Sequence, residues 1–541
     1  MCRRAPIAAS LLSSIVWSTA EPATIHVPDD YAQIQAAIDA ASDGDEVVVA
    51  PGTYFESEVG FRDKSIVVRG SDPADPDVVD ATVVDADSMG SVFRFESEDD
   101  STAGLIGLTV TGGKSWTGGG VYVGPRASIL LDRLRIAGNW ATGVDTSSRT
   151  GRGGGIACGE LSRPRILACR IEDNVAGASR NKGGGLWCDS WCAAVIEETV
   201  FRGNTAKSGG GAYCERSSAP IFVRCLFEGS RGTSTGGGVY LESGYQSSAL
   251  FEECRFVDND AIHGGGVYSP WGVGQGTYRF SNCLFQSNTA ARGGGAYTEG
   301  WTTMAFENST FRANGALGAP RVAGGGLYSE GFATITNCVF DSNSATGWRG
   351  MGGGVCSEQG DIHATATLFT GNWASGSDTS AGGAAFCSAG TLKLFNCTLV
   401  GNAATGSDTG SGSGRGGAVY GNVAWDLDIR NSILWGNEPE EVYGDYPEVS
   451  YSDVEGGWPG VGNIDADPGF SPRWPEHPLA RFLLGIHSPC IDSADPTMTD
   501  PPWWRISPAY AEHNSRQADM GAYGGDSAVG WIGGASQPTS H

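Results

Sequence analysis

Gly264-Gly265-Gly266-Val267-Tyr268 opens a unit of this chain and Asn282-Cys283-Leu284-Phe285-Gln286-Ser287-Asn288 closes it, before Gly293-Gly294-Gly295-Ala296-Tyr297 opens the next. The opening motif recurs at Gly118 to Tyr122, Gly183 to Trp187, Gly209 to Tyr213, Gly236 to Tyr240 and Gly324 to Tyr328. Gly153 to Ala157 and Gly352 to Cys356 vary the last place, and Gly382 to Phe386 and Gly416 to Tyr420 carry Ala as the third member. The closing Asn returns at 139, 174, 204, 259, 288, 314, 343, 372, 402 and 437, with Ser230 filling one gap. These eleven marks span 298 residues, a mean step of 29.8, which is the period of a solenoid.

Within a unit the side chains alternate with period two, as in Val239-Tyr240-Leu241-Glu242, and the parity breaks near Asn282. A parity break between two short apolar runs is a bend between strands. Each unit therefore reads as two or three short strands, with glycine at the tight turns. Stacked in parallel, such units make an all-β parallel β-helix in which equivalent residues lie ~4.8 Å apart and a fixed Asn forms an amide ladder. Asn282, Asn308, Asn337, Asn396 and Asn431 read as a second, partial ladder. One elongated domain of about 14–16 coils accounts for the chain's length, since each coil needs only its neighbours.

The 541 residues include 83 glycines, and 40% hydrophobic against 18% charged residues are enough to bury a core. A net charge of −26, with 35 basic against 61 acidic residues, excludes a phosphate backbone as the expected partner. Arg3 and Arg4, the apolar stretch Ala5 to Val16 and the small residues Ser18-Thr19-Ala20 read as a secretory signal over residues 1–20, cleaved near Ala20. The expected product is secreted or held at the cell surface, without a transmembrane segment. Fourteen cysteines would then suggest disulfides. However, Cys169, Cys225, Cys254, Cys283, Cys338 and Cys397 share their slot with Thr199, Ser309, Thr367 and Ser432, which marks a small buried packing ladder. Cys188 and Cys192 are the first candidates for a local bridge.

Residues 21–110 are expected to hold a capping helix and the first coils. Asp30 and Gln33 suggest a capping box for an amphipathic helix of about Tyr31 to Ser42 covering the open end. Residues 111–437 hold the glycine-triplet coils, 438–525 the last coils and a cap, and 526–541 a flexible tail.

The run Ala32-Gln33-Ile34-Gln35-Ala36-Ala37-Ile38-Asp39-Ala40-Ala41, through Gly44-Asp45 to Pro51-Gly52-Thr53-Tyr54, resembles the opening of secreted proteins of the pectate-lyase-like, right-handed parallel β-helix superfamily. The repeats are similar to those of polymorphic outer-membrane proteins. Tyr451-Ser452-Asp453-Val454-Glu455-Gly456-Gly457, Asn463-Ile464-Asp465-Ala466-Asp467-Pro468, Ser488-Pro489-Cys490-Ile491-Asp492 and Asp519-Met520-Gly521-Ala522-Tyr523 resemble the C-terminal part of bacterial β-helix proteins grouped as choice-of-anchor Q. The resemblance implies a right-handed coil. It leaves the activity open among lyases, hydrolases and adhesins, and the signatures of the family's hydrolases and epimerases are absent from the repeat strands.

Two rows flank each triplet. The place two residues after the aromatic is acidic in six coils: Asp189, Glu215, Glu242, Glu299, Glu330 and Glu358, with Pro270 interrupting. Trp187, Tyr213, Tyr240, Tyr268, Tyr297 and Tyr328 share their outer face, and Arg152, Lys182, Lys207, His263, Arg292 and Arg415 stand at or just before the triplet. The acidic row offers oxygen ligands for Ca²⁺ from adjacent coils, or a solvated edge. Asn463, Asp465 and Asp467 offer a second calcium loop, or a run of Asx turns. The aromatic stripe, with Arg292 beside it, offers a surface for a polysaccharide or cell-surface glycan, or simply cross-strand stacking. Three functions follow: a non-catalytic binding or adhesion protein, which the uniform coils favour; a calcium-dependent polysaccharide lyase with a rim Arg such as Arg292 as base; and a structural module of an envelope.

Overall fold

The computed structural model describes residues 22–96, 103–143, 150–177, 180–272, 274–406, 414–422, 426–470, 482–485, 487–497 and 518–522. The expected signal (1–20) and tail (526–541) lie outside the described residues.

One coil shows how the chain is wound. Val239–Leu241 and Ser248–Glu252 belong to a sheet of 27 strands, Arg255–Val257 to one of 15, and Asp260–His263 to one of 12. Every strand pairs in parallel with its equivalent one coil away, so Tyr240 is in register with Tyr268, Phe251 with Phe280 and Phe256 with Phe285. The corners are backbone features. Gly264, Asn282 and Ser287 all have φ between 54° and 62°, so each turns the chain through the left-handed region. This explains the parity break at Asn282, and it replaces the second ladder. Asn308, Asn337, Asn396 and Asn431 occupy the same left-handed place, which Arg224, Glu253 and Ala366 fill in other coils. Asn is there because it tolerates that conformation.

Inside the coil, two files of rings run along the axis. Phe222, Phe251, Phe280 and Phe306 stack at 4.7–5.0 Å, as do Phe227, Phe256, Phe285, Phe311, Phe340 and Phe369 at 4.4–5.1 Å. All are fully buried, which contributes roughly 2–3 kcal/mol per ring before entropy is counted. Beside them runs the amide ladder. Asn288 Nδ2 donates to Asn314 Oδ1 at 2.9 Å and to the Phe256 carbonyl at 2.8 Å, while its Oδ1 accepts from Asn259 Nδ2 at 2.9 Å. The cysteines of the repeat are packed thiols. Cys254 Sγ lies 3.4 Å from the carbonyls of Phe222 and Glu252, and all thirteen described cysteines are buried and unbridged. Cys188 and Cys192 therefore form no local bridge; with Cys158 their sulfurs lie within 4.8 Å of one another.

A helix over Ile34–Ala40 buries Ile34, Ala37 and Ile38 at the first coil, as the amphipathic pattern requires, but it is shorter than expected. The capping box does not form. Asp30 accepts instead from the backbone of His26, and the free amides of Ile34 and Gln35 donate to the Glu56 carboxylate at 2.6 and 2.9 Å. The cap comes from the next coil, beyond the reach of a local motif. At the other end, Ala518, Met520 and Ala522 lie back along the 15-stranded sheet, with the Ala522 amide donating to Thr398 Oγ1 at 2.9 Å. This segment covers the side of the helix as well as its last coils. Among the described residues no helix is long and apolar enough to cross a membrane.

Candidate functional site

The aromatic row forms in register on the outer face of the 27-stranded sheet, from Trp187 through Tyr213, Tyr240 and Tyr268 to Tyr297 and Tyr328. It is not an open stripe. Tyr240 is half-buried and the other five rings are buried. Cations lie across them: Arg152 over Trp187 at 5.0 Å, Lys182 over Tyr213 at 4.5 Å and Arg292 over Tyr328 at 5.6 Å. Arg152, Lys182, His263, Arg292 and Arg415 fall in one column, in which Ser208, Thr235, Ala323 and Ala381 fill other coils, while Lys207 lies one place out of it and exposed.

From the opposite side the acids fold back onto the rings. Glu242 accepts from Tyr213 Oη at 2.6 Å and Glu299 from Tyr268 Oη at 2.9 Å, while Tyr328 Oη lies 2.7 and 2.8 Å from Glu330 and Glu358. Lys182 Nζ bridges Glu215 at 2.6 Å and Glu242 at 3.3 Å; Arg216 reaches Glu242 and Arg321 reaches Glu358, each at 3.2 Å. Asp189 accepts from the Ser190 amide at 2.8 Å. Burial pushes the Glu215 carboxyl up to about 7, and burial also raises Asp189. The row thus spends its oxygens on hydroxyls, cations and backbone. Asn463, Asp465 and Asp467 are likewise engaged, accepting from the amides of Ser452, Gly456 and Gly469 at 2.9–3.1 Å; only Asp467 makes an Asx turn, while Asn463 and Asp465 tie their loop to the preceding strand end.

Exposed aromatics stand elsewhere, and one set follows just after the acidic place. Tyr245, Trp271, Trp301 and Phe332 occupy this stretch in four consecutive coils, Trp301 within the strand Ala296–Glu307 and Phe332 within Leu327–Thr336, with Trp191 two coils earlier. Tyr245 is 73%, Trp271 69% and Trp301 55% exposed. The rings of Trp301 and Phe332 lie 6.4 Å apart at 28°, and the Trp271 amide donates to Glu299 at 3.2 Å. The sequence carried this signal as a bulky residue one to three places after the acidic position, but irregular loop lengths hide the alignment.

One coil departs from the row. Ala157 is in register with Tyr122 on one side and Trp187 on the other, so a ring is missing between them. Beside it, on the outer face, lies a cleft of about 440 Å³ lined by Arg94, Lys114, Trp116, Tyr122, Arg152, Trp187 and Asp189, among others, while Ala157 itself is fully buried. The Arg94 guanidinium lies 4.2 Å over the Tyr122 ring, and among the described residues the buried Nε of Arg152 has no hydrogen-bond partner. Three cations from different coils meet at this cleft, Arg94 and Lys114 from one and Arg152 from the coil two further on.

Residues 97–311 match the family model described as a right handed beta helix region. Together with the parallel three-sheet coil, this makes the chain a right-handed parallel β-helix, the fold that its resemblances implied. Solved structures similar to it include pectate lyase Pel9A, at 12% identity over 94% of this chain and 97% of that one with a TM-score of 0.27. The PL6 family alginate lyase AlyGC is 10% identical over 79% of this chain and 88% of that one, with a TM-score of 0.19. No curated protein matches the chain.

Proposed function

We propose that this protein is an exported, non-catalytic β-helix that binds polysaccharide along its exposed aromatic edge. The observation that carries the reading is the run of Tyr245, Trp271, Trp301 and Phe332 on four consecutive coils, large apolar rings open to solvent next to the buried aromatic row. Flat rings recurring once per coil, ~4.8 Å apart along the axis, present stacking faces to an extended chain of pyranose units. Export rests on the basic and apolar start of the sequence and on its small-residue cleavage site.

A calcium-dependent lyase needs free carboxylates to hold the ion, whereas the acidic row here is engaged by tyrosines, Lys182, Arg216 and Arg321. A purely structural envelope role would leave the exposed rings without a partner. Affinity electrophoresis through gels cast with a panel of neutral and acidic polysaccharides tests the reading. Wild type is expected to be retarded by at least one polymer, and a Trp271→Ala, Trp301→Ala double variant to run freely. Retardation by none, or equal retardation of both proteins, overturns it. Incubation with uronate polymers and Ca²⁺ is expected to yield no unsaturated product absorbance.

A further inference from the structure

We propose that Cys158, Cys188 and Cys192 bind one soft monovalent cation, Cu(I), inside the coil. The site stands independently of the aromatic edge and of any glycan. Two of its sulfurs come from one inward-facing column. Phe95, Val123, Cys158, Cys188, Cys214 and Leu241 follow one another in register on the 27-stranded sheet, so thiols replace the apolar side chains found elsewhere in the column. The third sulfur comes from the turn that follows. Trp191, at φ 61°, swings the chain back after Cys188, and the Cys192 amide closes the turn on the Asp189 carbonyl at 3.1 Å. Ser162, Ser218 and Ser247 hold the same place in neighbouring coils, each with its amide on the carbonyl three residues back. Cysteine at 192 thus occupies a place that this part of the fold otherwise fills with serine.

The arrangement fits a three-coordinate soft ion. All three side chains are fully buried, and their sulfurs lie within 4.8 Å of one another. A point between them is then within about 2.8 Å of each, and contraction by about half an ångström per sulfur reaches a metal–thiolate bond of ~2.3 Å. The thiol slot of the repeat is built differently: Cys254 Sγ sits against the carbonyls of Phe222 and Glu252, whereas these three sulfurs sit against one another. Among the described residues this is the one group of three metal-ligating side chains drawn together in this way. Three sulfurs select by softness and by number. Ca²⁺ and Mg²⁺ demand oxygen ligands, and Zn²⁺ a fourth ligand in a tetrahedron, for which the hydroxyl beside the group, Ser162 Oγ at 3.5 Å from Cys192 Sγ, is a hard and poor candidate. Cu(I) is satisfied by soft sulfur alone. Each thiol that ligates as thiolate passes its proton to solvent as the ion binds. EDTA, a chelator of oxygens and amines, does not compete for Cu(I) held on sulfur, so the test needs a chelator specific for that ion.

The full chain, purified without air from copper-supplemented cells and compared with an apo sample, tests this by metal analysis and by competition with bicinchoninate, a Cu(I) chelator. One Cu(I) per chain is expected to survive the competition, X-ray absorption to show sulfur neighbours only, and the loaded protein to melt above the apo protein. Cys192→Ser installs the residue of the neighbouring coils, and Cys158→Val that of Val123 in the same column. Both are expected to fold as wild type and to hold the ion at least about a hundred-fold more weakly, since even the loss of an outer-shell partner costs ~10–100-fold. Cys254→Ser, in the repeat slot, is expected to keep the wild-type affinity. Should both cluster variants misfold, the sulfur shell of the wild type still decides. No copper retained, oxygen or nitrogen neighbours at the ion, Zn²⁺ held in preference to Cu(I), wild-type affinity in either cluster variant, an equal loss in Cys254→Ser, or a disulfide among the three found by peptide mass mapping overturns the proposal.

Discussion

Asn437 ends the amide ladder on Glu441, giving its backbone N–H to one carboxylate oxygen at 3.0 Å and its side-chain amide to the other at 2.5 Å. The next coil, whose strand Asp453–Val454 pairs with Ile433–Trp435, brings no Asn to the ladder position, and a carboxylate placed four residues on takes its place as the acceptor. Glu441 is buried, and that burial pushes its carboxyl up to about 7 in spite of the two hydrogen bonds.

A carboxyl raised in this way stays protonated in the folded chain over a range where the unfolded chain has already ionised. Its contribution is fully present below about pH 4.5 and declines as pH rises to about 7, by up to about 3 kcal/mol. Urea unfolding at pH 5 and 7.5 checks the sign. Glu441→Gln cannot ionise and is expected to remove this part of the pH dependence.

The ladder itself should be costly to interrupt. Asn288→Ala strands the Phe256 carbonyl, the Asn259 backbone amide and one N–H of the Asn259 side chain inside the coil, while Asn314 Oδ1 keeps the backbone amide of residue 288. At ~1–3 kcal/mol for each unmet buried group, the expected loss exceeds about 3 kcal/mol. Denaturant unfolding measures it, and Asn288→Ser, which places at 288 the residue found naturally at 230, is expected to lose less.

Lys182→Met should uncover the charge balance of the outer face. It leaves Glu215 and Glu242 beside Tyr213 without their shared ammonium. The expected loss at pH 8 is at least about 2 kcal/mol. At pH 5 the loss is expected to shrink, because Glu215, pushed up to about 7, takes a proton there. Thermal melts at the two pH values make the comparison.

Chelation separates the row as built from the calcium row that its spacing suggested. Since Glu242, Glu299, Glu330 and Glu358 already meet tyrosine hydroxyls, excess EDTA is expected to leave the melting temperature unchanged, and added Ca²⁺ to give no heat in calorimetry.

Much of this architecture is legible before folding because a solenoid puts the same residue in the same place many times. The period, the parallel stacking, the ladder through Asn288 and the thiol slot at Cys254 all follow from recurrence. What stayed hidden depends on contacts between coils. Glu56 capping the helix from outside, Tyr213 reaching the Glu242 of the next coil, and the left-handed backbone that selects Asn282 leave no local motif. The missing ring was visible as Ala157 varying the last place of its motif, but periodicity alone gives the cleft beside it no charge or depth.

Ser230 is the one member of the ladder that is not an amide. Its backbone still donates to Asn259 at 3.0 Å, but its side chain offers Asn204 Nδ2 no carbonyl oxygen, and that amide is held by the Ile171 carbonyl alone. The polar spine is therefore two spines, residues 139–204 and 259–437, joined by a coil held by sheet pairing and ring stacking. Stretched from its ends the molecule has a built-in fuse. Unravelling that enters from either side should pause at the coil of Ser230, so that the cleft beside Ala157 and most of the exposed aromatic edge belong to mechanically separate halves of one rod.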